Sequence, residues 1–150
     1  TSADPEHLLP TVRSRCQRLR ITLPPPDQAR AWLQGQGLDT PDTLLALAGG
    51  SPLEALAWAQ EGFTPTALAG LPRRLAAGDA APLQGRPIPR VVELLLKLSH
   101  DAQVQAAGGA PRFFAAASLP AGADPAALRG WQQALQRVAR QTSTPGAPRC

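Results

Sequence analysis

Methionine is absent from these 150 residues, lysine occurs once, at Lys97, and aromatic side chains make up only 4%. So few aromatics leave a thin core dominated by alanine and leucine. Helices meeting closely through small side chains suit that composition better than sheets, which favour β-branched and aromatic residues. Two cysteines, Cys16 and Cys150, make neither a metal site nor a disulfide framework. A reduced, cytoplasmic setting is the simpler expectation. No apolar run approaches the roughly 20 residues of a membrane-spanning helix, and Thr1-Ser2-Ala3-Asp4-Pro5 is not a secretory signal. With no initiator methionine, the chain reads as a piece of something longer. A glycine-rich phosphate loop, zinc-ligand spacing and an acid pair beside a histidine are all missing, which leaves an isolated enzyme without machinery.

What is present is apolar and cationic: 43% hydrophobic residues and a net charge of +4, carried by fourteen arginines and one lysine. The apolar share is enough for a core and argues against wholesale disorder. A pI near 10.4 permits contact with nucleic acid. The arginines are scattered, however, apart from the run Arg13, Arg15, Arg18 and Arg20.

Local signals divide the chain into short helices. Asp4-Pro5-Glu6 opens a first turn, and Thr11 to about Cys16 forms a short helix. The alternation of Leu19, Ile21 and Leu23 over Gln17–Leu23 predicts a strand, which Pro24-Pro25-Pro26 stops. Helices are predicted from Asp27 to about Gln36, from Thr40-Pro41 to Ala48, and from Ser51 to Gln60. The last opens on a capping box with Pro52 at N1 and Glu54 at N3, and Leu53, Leu56, Ala57 and Gln60 share one of its faces. Thr64-Pro65 caps a helix to about Ala77, and residues 78–89 form a glycine- and proline-rich loop. The segment from Pro89 to about Gly108 is hydrophobic on more than one side and reads as a buried helix. A loop carries Phe113-Phe114. Asp124-Pro125 then caps a final helix to about Arg140, with Leu128, Trp131, Leu135 and Val138 in one stripe; residues 141–150 read as a frayed tail. A lone strand at 17–23 cannot satisfy its own backbone groups, so it calls for a sheet from a preceding α/β domain.

Few residues are placed for chemistry. His100 and Asp101 are adjacent on a helix, where neighbours point apart, so no catalytic dyad is expected. The informative run is Asp4–Cys16, DPEHLLPTVRSRC, followed by Gly50-Ser51-Pro52-Leu53-Glu54-Ala55-Leu56. These segments resemble clamp-loader subunits of the AAA+ superfamily, in particular the delta-prime type of bacterial DNA polymerase III. The first run resembles the turn and helix after the sensor-1 strand, and the second resembles the start of the sensor-2 helix.

The resemblance implies a mostly α chain in three parts with a tail. Residues 1–23 would be a remnant of the AAA+ α/β domain (one helix and one strand), 24–62 a three-helix lid, 63–140 a partial helical collar and 141–150 a disordered tail. It implies that Arg15 is an arginine finger acting in trans, with Ser14 and Cys16 packing around it. The alternative for Arg15 is a plain ion pair with a carboxylate at a helix end. Hydrolysing relatives carry an arginine where this sequence has Leu53, which implies a subunit that binds no cofactor here and acts on ATP held by its neighbour. The implied partners are the gamma/tau and delta subunits and, through the complex, the sliding clamp and primer-template DNA, with no membrane. Two other readings stand beside this one: a gamma/tau fragment, and a helical nucleic-acid-binding module using Arg13, Arg15, Arg18 and Arg20.

Overall fold

In a computed structural model of the chain, residues 9, 11, 14, 15 and 22–142 are described. Six α-helices account for most of them: α1 (Pro26–Gly35), α2 (Asp42–Leu47), α3 (Pro52–Gln60), α4 (Pro65–Ala76), α5 (Ile88–Ala106) and α6 (Pro125–Thr142). Single 3₁₀ turns lie at Ala81–Leu83 and Ala116–Ser118. There is no strand among the described residues; Thr22 and Leu23 are exposed coil, and the remainder of the expected strand, residues 17–21, lies outside them. The helix expected to end near Cys16 falls largely outside them too, as does the tail from 143 to 150.

The helix starts follow from local chemistry. Ser51 Oγ accepts from Glu54 N–H (3.4 Å) and Thr64 Oγ1 from Ala67 N–H (3.3 Å). Asp124 accepts from both Ala126 N–H (3.0 Å) and Ala127 N–H (3.2 Å). Each is a side-chain oxygen meeting donors that a helix leaves unpaired, followed by a proline that needs no donor. The capping box at Ser51 is only half formed, because the Glu54 carboxylate turns away to Arg90. The buried side of α3 also differs from the expected face: Ala55 and Trp58 are inside, and Leu53 is 70% exposed.

One apolar cluster draws Ala29 and Leu33 from α1, Leu44, Leu45 and Leu47 from α2, and Trp58 from α3 together with Phe63 and Leu68. It continues through Leu71, Leu94 and Leu98 to Phe114 and Leu119, so packing runs without a break across residue 62. Trp58 is fully buried and meets the Phe63 ring edge-on, with centroids 4.8 Å apart. Burying each of the large side chains stabilises the fold by about 1.5–3 kcal/mol. Gly62 adopts a φ of +85°, and a β-carbon there would sit 1.9 Å from the Arg86 guanidinium, which donates to Glu61 O at 2.8 Å. Only glycine fits that corner.

α5 is buried along Val92, Leu94, Leu98, Ser99, Asp101 and Ala102. Asp101 is fully buried, and its carboxylate accepts the backbone N–H groups of Arg112 (3.0 Å), Phe113 (2.6 Å) and Phe114 (2.8 Å). That fixes the loop after α5 and delivers Phe114 into the core. α6 then lies against α5, joined by Gln103 Nε2 donating to Gln132 Oε1 at 2.6 Å.

Replacing Asp101 with alanine leaves three loop donors without an acceptor and should lower unfolding free energy by about 3 kcal/mol, read from urea denaturation. Asp101→Asn, which retains one acceptor oxygen, should cost less. At the end of α4, Asp79 accepts from Arg74 Nε (2.6 Å) and from Ala81 N–H (3.0 Å). The hydrogen bond from Arg74, then that from Ala81, hold its carboxyl below the ordinary carboxylate range. The stabilisation is therefore present above about pH 3.9 and lost as pH falls through the lower native value. Side-chain NMR titration should place the Asp79 midpoint below about 3.9, and Arg74→Gln should raise it.

Candidate functional site

Arginines supply most of the distinctive chemistry on this fold, and the structure sorts them by what they touch. Arg90, near the start of α5, is the most engaged. Its Nε donates to both oxygens of Glu61 (2.8 and 3.1 Å), and its Nη1 donates to Glu54 and to Glu93 (2.9 Å). The guanidinium lies 4.9 Å from the centre of the Trp58 ring. Lys97, 5.2 Å from the same ring, pairs with Glu93 at 2.5 Å. Burial disfavours the Arg90 charge, but hydrogen bonds to Glu54, Glu61 and Glu93 outweigh it, so its pKa is raised. This network ties α3 to α5 and serves structure.

An open hollow of about 570 Å³ lies where the chain enters α1, bordered by Leu23, Leu45, Gly49, Gly50, Arg30 and Arg112. Gly49 and Gly50 carry φ values of +63° and +91° and form the turn that Ser51 follows. Arg30 is held by Asp42 (Nε, 2.6 Å) and Asp27 (Nη1, 2.7 Å). Those carboxylates, the Asp42 hydrogen bond first, raise its pKa. Arg112 is placed by its own backbone N–H on Asp101, and its guanidinium rests 5.4 Å from the Phe113 ring centre. Arg30 and Arg112 were not singled out by sequence reasoning. They are 82 residues apart (112 − 30), and no local pattern announces such a meeting.

Of the expected site residues, Ser14 and Arg15 form an exposed turn, in which Ser14 Oγ donates to Thr11 O at 3.1 Å. Arg15 has no ion-pair partner among the described residues. Cys16 lies outside them, as do Arg13, Arg18 and Arg20. Leu53 projects into solvent at the start of α3 and does not border the hollow.

His100 and Asp101 correct one expectation. Although adjacent on the helix, they meet, with Nδ1 and Oδ1 3.1 Å apart. Asp101 is nonetheless committed to the loop donors. The neighbouring Ser99 is buried and accepts from Gln103 Nε2 at 3.3 Å. His100 packs edge-on against Phe113, with centroids 5.8 Å apart. The contact is thus part of the α5–loop junction. Among the described residues no cluster of three or more His, Cys, Asp or Glu side chains is placed to hold a metal. No described helix is long and apolar enough to cross a membrane.

The described residues define a class: an arginine-rich helical module with an exposed turn at Ser14 and Arg15 preceding the helices. No family model matches the chain. A stretch of 58 residues is 50% identical to the DNA polymerase III subunit delta' of Escherichia coli (strain K12). That stretch is 36% of this chain and only 17% of the relative's length. The likeness is therefore to part of a delta' subunit, over about a third of this chain.

Arg90→Leu should leave Glu54, Glu61 and Glu93 facing one another without their common cation. We expect a loss of about 2 kcal/mol at neutral pH, below the usual figure for a buried pair because the site is partly wet. Chemical denaturation at neutral pH measures it.

Proposed function

We propose that the chain is part of a non-hydrolysing clamp-loader subunit of DNA polymerase III that completes the ATP site of a neighbouring subunit. The observation carrying this reading is the 50% identity over 58 residues to the delta' subunit. Two features support it. Arg15 stands on an exposed turn without an ion-pair partner among the described residues, as a group that acts on another molecule requires. Position 53, at the start of α3, holds an exposed leucine, which cannot contact phosphate.

In this reading Arg15 reaches the γ-phosphate of ATP held by the adjacent gamma/tau subunit. A guanidinium stays charged throughout and presents a planar fork of donors to phosphate oxygens. It stabilises charge that develops as the terminal phosphoryl group is transferred, a contribution worth roughly 10³–10⁵ in rate where such fingers act in trans. Ser14, bonded to the preceding turn, and Cys16 position the arginine and have no nucleophilic duty. Residues 24–62 act as the lid and 63–140 as part of the collar, with gamma/tau and delta as neighbours and the sliding clamp on primed DNA as the object loaded. The work is done in the cytoplasm. An arginine at position 53 would have favoured a gamma/tau fragment; leucine disfavours it.

Arg15→Ala in the full-length protein, reconstituted into the complex, should lower clamp-stimulated ATP hydrolysis by roughly tenfold or more while assembly persists. Hydrolysis at the unaltered rate would remove Arg15 from the site.

A further inference from the structure

The geometry points to a binding site between α4, α5 and α6: a hollow that takes one large apolar side chain from an acidic segment of a partner protein. Its volume is about 230 Å³, and it is lined by Pro72 and Leu75 of α4, Leu98 and Ala102 of α5, and Leu128 and Trp131 of α6. Every lining residue is apolar, so neither an ion nor a polar cofactor finds a partner there. Drug-sized ligands occupy roughly 300–1,000 Å³, and this hollow is smaller. A leucine or phenylalanine side chain, carried by a backbone that stays outside, suits it. The gap follows from the alanine-rich composition: Ala76 and Ala102 stand where bulkier residues would close the space. Water inside has no polar groups to bond, so covering the hollow with an apolar side chain is favourable.

Charge decides what kind of segment carries that side chain. Residues 63–142 hold nine arginine or lysine side chains against four aspartates or glutamates, and all four carboxylates are engaged within the fold. Asp79 pairs with Arg74, Glu93 with Arg90 and Lys97, Asp101 accepts the loop N–H groups, and Asp124 caps α6. Arg73 follows Pro72 and is exposed. Its Nη2 donates to Ala117 O at 2.6 Å, on the loop that leads to Pro120 at the edge of the hollow. Arg129 follows Leu128 and is exposed as well. Neither guanidinium meets a carboxylate among the described residues. An apolar recess with cations at its edge matches an apolar anchor flanked by carboxylates, the anchor giving affinity and the flanks giving selectivity. The inference does not rest on the clamp-loader reading.

The test uses the full-length protein and a fluorescein-labelled synthetic peptide in which glutamates flank a single phenylalanine, with binding read by anisotropy. Replacing that phenylalanine with alanine should weaken binding roughly tenfold or more, as for a buried anchor. Replacing the glutamates with lysines should abolish it. In the protein, A102L fills the hollow and should weaken the glutamate peptide about tenfold. R73E leaves the hollow open; it should weaken that peptide about fivefold and improve binding of the lysine peptide. Arg73 is exposed, so this second variant keeps the test decisive if A102L fails to fold. No binding of the phenylalanine–glutamate peptide up to about 1 mM overturns the inference. Equal affinity for the phenylalanine and alanine peptides does so too, as does unchanged binding by R73E or by folded A102L. Self-association of the full-length protein that A102L abolishes would make a second copy the occupant and likewise overturn it.

Discussion

A carboxylate sealed from water must be met by donors or not be charged, and Asp101 is met by the three consecutive N–H groups at 112–114. Much of the second half of the structure depends on that capture. The loop after α5 has few apolar anchors of its own, and an irregular segment with unpaired donors would not remain against a core. Bonded to Asp101, it carries Phe114 inward, turns Phe113 onto His100 and sets Arg112 at the edge of the hollow beside Gly49. The same helix that holds the carboxylate receives α6.

The other junction is cationic. Arg90 gathers carboxylates from α3, from the corner after it and from its own helix, over the ring of Trp58. Trp58 in turn fills the centre of the apolar cluster. An alanine-rich chain has little large apolar surface to bury, and a shared aromatic with cations on it stiffens contacts that small side chains leave loose. The described arginines thus differ in what they meet: Arg30, Arg74 and Arg90 pair with carboxylates, Arg73 and Arg86 donate to backbone carbonyls, and Arg112 lies by the Phe113 ring.

Signals that act over three or four residues were legible. Ser51-Pro52, Thr64-Pro65 and Asp124-Pro125 each start a helix where read, because a cap needs only its own first turn. The hydrophobic density of 89–108 correctly announced a long helix packed on several sides. The expected stripe on α6 holds at Leu128 and Leu135 and weakens at Val138, whose side chain is exposed. On α3, the shared face of Leu53, Leu56, Ala57 and Gln60 did not say which side is buried: Ala55 and Trp58 are inside, and Leu53 is outside. The rule that adjacent helical side chains diverge also failed at His100, whose rotamer turns back because the Phe113 ring lies beside it.

The sequence by itself determined where helices begin and that the chain is mostly helical. These follow from composition and from hydrogen bonds closed within one turn. Only the tertiary structure decided which arginines meet carboxylates. It also decided that Glu54 would leave its cap for Arg90, and that a buried aspartate would serve a loop 11–13 residues away. The physical reason is common to all of these. Charge pairing depends on distance through space, and a sequence records distance only along the chain.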